Sequence, residues 1–231
     1  MELRILSAGA AKGLVYEVQQ AYTAETGAVI SGSYGTVGAM MDEVLRGAAC
    51  DVVILPEALI AELTRSGQLV PDASRPLGRV RTGIAVRSGM PHPDISNRAA
   101  FKVNLLAASG IYFPDPHRAT AGMHFINVLE QLDIYDELIP RLRPYPNGAI
   151  AMQQLAQSRE SRQIGCTQIT EIKYTAGVTL VGLLPVEFEL STVYAAGVCS
   201  KAAQPAGARR LVELLGGDAT LAQRSAAGFE F

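Results

Sequence analysis

Tryptophan is absent, histidine and cysteine number three each, and charged residues make up only 18% of the 231 positions. Each scarcity excludes something. His92, His117 and His124 fall in no HExxH or paired-cysteine spacing, so neither a zinc site nor any other metal is expected. Cys50, Cys166 and Cys199 show no CxxC spacing and are odd in number, which reads as free thiols among apolar neighbours. The 20 Lys and Arg residues are scattered against 22 Asp and Glu, so no basic stripe exists for nucleic acid. No apolar run reaches the roughly 18 residues of a membrane span. The N-terminus shows no basic segment followed by a long apolar stretch, the mark of a signal peptide. That points to the cytoplasm as written, or to the periplasm if a leader has been removed. No cofactor is expected.

What remains is a chain of alternating strands and helices. "ELRILSA" reads as a buried strand, followed by a helix from about Lys12 to Thr26 with Leu14, Val15, Val18, Ala21 and Tyr22 on one face and Gly27 as its C-cap. "AVISGSYG" is a second strand. "TVGAMMDEVLRG" is a helix with Val37, Met40, Met41, Val44 and Leu45 on one stripe. In "CDVVILP" the stretch after Asp51 is wholly apolar, as a parallel strand covered on both faces should be, and Pro56 is placed to open the next helix. A strand at 79–87 leads into a second unit: helix at 97–109, strand "GIYFPDP", helix "MHFINVLEQL", short helices near 134–141 and 148–157, strand "QIGCT", helix "QITEIKY" and strand "VTLVGLLP". "STVYAAGVCS" and a C-terminal helical pair then return to the first unit. The fold class expected is α/β with two lobes, each a mixed sheet flanked by helices, with a hinge between them. Lobe 1 would be 1–80 plus 193–231 and lobe 2 would be 81–192, with a ligand cleft between them at the carboxyl ends of strands.

Three strand-to-helix turns consist of small residues: "SAGAAKG" (7–13), "GSYGTVG" (32–38) and "DPHRATAG" (115–122). Glycine and alanine let a backbone approach closely. The first amides of each following helix lack internal partners and sit at the positive end of its dipole, so such turns can hold an anion without formal charge. Ser7, Gly9, Ala10, Tyr34, Gly35, Thr36, Thr120 and Ala121 are therefore candidate ligand-binding residues, with Ser33 as a further hydroxyl. The plainer reading of each turn is tight packing and capping.

These segments resemble the type II periplasmic-binding-protein superfamily, and within it the molybdate-binding proteins of ABC transporters. The resemblance runs over most of the chain. It is clearest from "LSAGAAKGLVYEV" to "RGAACDVVIL", in "FPDPHRATAGMHFINVLEQL" and in the terminal "AAGFEF". That family grips a tetrahedral oxyanion with a serine in the first turn, a second serine in the next, helix-start amides and a late tyrosine. Carried over segment by segment, the resemblance puts Ala10 at the first serine, Thr36 or Val37 at the second, Ala121 at a helix-start amide and Gln168 at the tyrosine.

A donor set changed in this way suits a different anion. A guanidinium pairs bidentately with a carboxylate, so Arg118 and Gln168 fit a small organic acid. The expected partner is a small anionic ligand, an organic di- or tricarboxylate or an oxyanion; an ABC transporter partner follows only if the protein is exported. The resemblance also implies an enzymatic alternative, because some relatives of the molybdate-binding family, such as aconitate isomerase, act on small unsaturated acids. Lys12, His117, Glu171 or Tyr34 could then supply the base and the turns the donors. Against these roles stand solvated surface charge for Lys12, Arg118 and Glu171, and a packed core position for Tyr34. His124, on a helix stripe with Val128 and Gln131, reads as a packed histidine.

Overall fold

A strand buried on both faces has no need of alternation, and β3 (Val52–Pro56) has none: Val52 to Leu55 are all buried. In the computed structural model, which describes residues 2–231, the elements before and after it are β1 (Glu2–Ala8), α1 (Lys12–Thr26), β2 (Val29–Gly35), α2 (Val37–Leu45) and α3 (Glu57–Arg65). β1 lies parallel to both β2 and β3. The chain divides into two compact units, Met1–Val80 with Thr192–Phe231, and Arg81–Ser191.

In the first unit, β9 (Ser191–Cys199) closes the order β2-β1-β3-β9 and runs antiparallel to β3. α9 (Pro205–Gly216) and α10 (Leu221–Ala227) pack on α1. Asp51 ties these parts together. Its buried carboxylate accepts the Arg4 amide at 2.8 Å and the Gln204 amide at 2.9 Å, fixing β1 and the start of α9 to one point. Gly27 ends α1 in the left-handed region (φ 69°), where glycine carries no Cβ penalty.

In the second unit, β4 (Leu69–Arg87, which enters this unit at Arg81), β5 (Gly110–Pro114), β6 (Leu142–Tyr145), β7 (Gln163–Gln168) and β8 (Val178–Leu183) take the order β8-β4-β7-β5-β6. β5 is parallel to β6 and β7, and β4 is antiparallel to β7 and β8. The helices are α4 (Arg98–Ala107), α5 (Thr120–Gln131), α6 (Tyr135–Leu138), α7 (Gly148–Gln157) and α8 (Ile169–Tyr174). Strand alternation divides the core between the two faces. Ile84 and Phe113 join Phe101, Phe125 and Phe188 on one, while their neighbours Ala85 and Tyr112 join Met152, Leu155 and Ile172 on the other. The rings of Tyr112 and Tyr145 stack on that second face with 5.9 Å between centroids.

Several expectations need correction. The strand expected at 79–87 begins ten residues earlier, at Leu69. Two prolines and positive φ at Asp72 and Gly78 erase its alternation, and its early buried residues, Leu69, Ala73 and Leu77, recur every fourth position. β6 was not expected; "LRPY" contains a proline and lies at the end of the sheet order, the position at which a strand tolerates one. Pro56 ends β3 and caps α3 instead of opening the helix. Ala21 and Leu45, placed on apolar stripes by their spacing, are exposed, Leu45 as the last residue of α2. The three cysteines are free, with Cys50 half-buried and the other two buried.

Candidate functional site

The first two turns lie side by side because of β-sheet register. Ser7 pairs with Tyr34 and Ala8 with Gly35, so β1 and β2 end at the same level and α1 and α2 start next to each other. Between β1 and α1, Gly9–Ala11 form a 3-10 turn, and the Lys12 amide donates to the Gly9 carbonyl. Ala10 and Ala11 are buried, which leaves no room for longer side chains at the turn. Ser7 departs from its expected role. Its hydroxyl is fully buried and donates to the Ala8 carbonyl at 2.9 Å, so its one hydrogen is spent inside the chain. Thr36 is the N-cap of α2: its Oγ1 accepts the Ala39 amide at 3.2 Å, and the hydroxyl hydrogen is left to donate elsewhere.

Lys12 is the distinctive group of this turn. It stands half-buried at the first position of α1, with its Nζ 5.5 Å from the Tyr34 ring centroid and 5.7 Å from that of Tyr16. The two rings stack on each other, 5.9 Å apart. Tyr16 lies one helical turn beyond Lys12, and Tyr34 folds back along its own strand. A Cβ on Gly32 would stand 2.5 Å from the Tyr34 hydroxyl, so only glycine admits the ring there. Ring faces attract an ammonium through their quadrupole. A cation at the positive end of a helix is otherwise unfavourable, and the first turn of α1 holds no acidic residue. The sequence placed Lys12 and Tyr34 as candidates but gave no sign that Tyr16 would complete the group; an i, i+4 spacing from Lys12 was the signal.

The second unit builds its turn on Asp115. Its Oδ1 accepts the His117 amide at 2.7 Å and the Arg118 amide at 3.1 Å, a side-chain-closed turn that sets the start of α5. His117 and Arg118 themselves are exposed. α5 starts without a side-chain cap, with Thr120 half-buried and Ala121 buried. At Gly122 the helix touches the strand it follows: a Cβ would stand 2.3 Å from the carbonyl oxygens of Pro114 and Asp115. His124 is structural, its Nε2 lying 2.8 Å from the Phe188 carbonyl oxygen.

Glu171 is neither a surface acid nor an open base, and this corrects the expectation. It is buried, and Thr167 donates its hydroxyl to Oε2 at 2.5 Å. The amides of Gly148, Ala149 and Gln168 also donate to the carboxylate. Burial pushes its carboxyl above the usual range, and these four donors pull back against that shift. Glu171 therefore serves as an internal hydrogen-bond acceptor at the start of α7, beside the N-cap bond from Ile150 to Asn147 Oδ1 at 2.9 Å. Gly148 is fitted to this arrangement, since a Cβ there would lie 2.0 Å from both Glu171 Oε2 and Thr167 Oγ1. Gln168 is buried at the end of β7, and its own amide belongs to the Glu171 site. No cluster of three or more metal-ligating residues occurs among the described residues, and no described helix is long and apolar enough to cross a membrane.

Comparison with known proteins gives the family and the fold. The profile of the family described as "Bacterial extracellular solute-binding protein" matches residues 3–230. An aconitate isomerase from Pseudomonas sp is 32% identical over 222 residues, covering 92% of this chain and 81% of that protein. Among solved structures, the periplasmic molybdate-binding protein of Azotobacter vinelandii superposes with a TM-score of 0.79 at 20% identity, covering 99% of each chain. The sulfate-binding protein SubI of Mycobacterium tuberculosis gives 0.74 at 16% identity, covering 99% of this chain and 86% of that one. At such identities the two structures speak for the fold, the type II periplasmic binding protein fold.

Proposed function

This chain belongs to the bacterial extracellular solute-binding protein family, and from that premise we propose that it binds a small organic di- or tricarboxylate of the aconitate class. The observation that carries this reading is Lys12, an ammonium held against two tyrosine rings beside a turn whose side chains are otherwise too small to reach a ligand. Helix-start amides and hydroxyls suit an oxyanion of any kind. A fixed formal charge next to Ala10 suits a carboxylate, which gains a charge-assisted hydrogen bond from an ammonium. The aconitate isomerase relative supports the same ligand class.

A second reading, catalysis, is favoured by that same relative. Interconverting cis- and trans-aconitate requires removal of a proton from the methylene carbon next to a carboxylate. The electron pair then spreads through the conjugated system, the former double bond rotates, and the proton returns, so nothing is gained or lost overall. Such a reaction needs a base and a donor for the developing charge. Lys12 and Tyr34 are the amine and phenol side chains beside the first unit's turns that could carry the proton; Glu171 is enclosed by its own donors and is not assigned. The test is NMR of the protein with cis- and trans-aconitate in heavy water. Interconversion with deuterium entering the methylene carbon supports the enzyme. Binding without exchange supports a solute-binding role, and neither binding nor exchange removes the aconitate class.

A further inference from the structure

Six threonines are buried: Thr36, Thr82, Thr167, Thr170, Thr175 and Thr220. Four have evident partners. Thr36 caps α2, Thr167 donates to Glu171, Thr175 donates to the Glu171 carbonyl at 2.8 Å, and Thr220 donates to the Leu214 carbonyl at 2.6 Å. The hydroxyls of Thr82 and Thr170, 1% and 4% exposed, have no hydrogen-bond partner among the described residues. The two exceptions are not scattered. Thr82 on β4 is the direct register partner of Gln168 on β7, and Thr170 follows Gln168 by two positions.

Directly opposed residues of an antiparallel pair share one face, with Cβ atoms about 5 Å apart. The Thr82 hydroxyl and the Gln168 amide therefore rise together from the sheet. The Thr82 backbone is already satisfied, its amide donating to Leu190 at 3.1 Å and its carbonyl accepting from Leu184 at 3.3 Å. Only the hydroxyl is left over. A buried hydroxyl without a partner is destabilising, and valine, of the same shape, would fill the position without that cost. A threonine at this position calls for a partner from outside the chain.

We infer that Thr82 is a ligand-contacting residue of the second unit, donating its hydroxyl hydrogen to a carboxylate oxygen of an anion bound beside Gln168, with Thr170 as a second donor at the same end of β7. This rests on the anion-binding reading above, and it adds a donor that no strand-to-helix turn supplies. Thr82 lies in the middle of a strand, where the search for turns could not find it.

The experiment compares wild type, Thr82→Val and Thr82→Ser by thermal unfolding without ligand and by calorimetry with citrate, cis-aconitate and trans-aconitate. Thr82→Val is expected to melt no lower than wild type without ligand and to bind the preferred acid at least about tenfold more weakly. Thr82→Ser, which keeps the hydroxyl, is expected to bind within about threefold of wild type. Unchanged affinity in Thr82→Val while wild type binds overturns the inference and leaves the anion-binding reading standing, as a water-satisfied hydroxyl would. A ligand-free Thr82→Val that melts well below wild type overturns it as well, because the hydroxyl would then have an internal role. Failure of wild type to bind any of the three acids removes the carboxylate reading itself.

Discussion

A Cβ on Gly148 would stand 2.0 Å from Glu171 Oε2. The glycine and the carboxyl group, 23 positions apart in sequence, form one unit: the amide of the first donates a hydrogen bond to the buried oxygens of the second. Gly148→Ala is expected to push the carboxylate and the Thr167 hydroxyl out of register and to destabilise the protein by about 2 kcal/mol. Thermal or denaturant unfolding measures it.

Gly122→Ala makes an informative contrast. The atoms that a Cβ would meet at 2.3 Å are main-chain carbonyl oxygens, not the ends of side chains. They cannot rotate away, so α5 must shift against β5. The expected loss is larger than for Gly148→Ala, about 3 kcal/mol. Equal stability of the two variants would mean that α5 slides on its strand freely.

Glu171 gives the stability a sign with pH. Burial raises its carboxyl above the usual range in the folded chain. Between the ordinary value and the raised one, the native state binds more protons than the unfolded state, and stability falls as pH rises. Its contribution is fully present below the ordinary carboxyl range and is lost as pH passes through the raised value. Glu171→Gln is permanently neutral and lacks this dependence. Denaturant unfolding from about pH 4 to about pH 8 should therefore show the advantage of wild type over Glu171→Gln shrinking as pH rises. An advantage that grows with pH would mean that the four donors outweigh burial and hold the group ionised.

The Lys12 group separates charge from positioning. Lys12→Met keeps the aliphatic stem and removes the ammonium, and is expected to weaken carboxylate binding by about ten- to a hundredfold, the worth of one charge-assisted hydrogen bond. Tyr16→Leu leaves the ammonium but removes one of its two ring faces. An effect of about two- to fivefold is expected, since a single cation–π contact at a partly exposed site is worth about 0.5–1 kcal/mol. Isothermal calorimetry on both variants checks the ratio.

The alternation of strands and helices was legible because local rules govern it. Wholly apolar runs such as "VVIL" and the glycine after α1 are enough to mark where elements begin and end. The start of β4 was hidden because prolines and left-handed residues break its period. The turns were legible as turns, yet their hydroxyls were not all legible as ligand groups. Whether Ser7 points its hydrogen at a ligand or at its neighbour's carbonyl is a matter of one rotamer, which no spacing encodes. Glu171 was misplaced for a different reason. Its partners Gly148 and Ala149 are distant in sequence, and only the packing of α7 on α8 brings them together. Thr82 is the same case, visible only through the register of β4 with β7.

The account rests on the class of anion, and titration calorimetry of one protein preparation with citrate, cis-aconitate, trans-aconitate, molybdate and sulfate tests it most directly. A fixed ammonium beside Ala10, in place of a hydroxyl, is expected to give at least one of the organic acids an affinity about tenfold or more above that of either metal or sulfur oxyanion. Tighter binding of molybdate or sulfate than of every organic acid would contradict it.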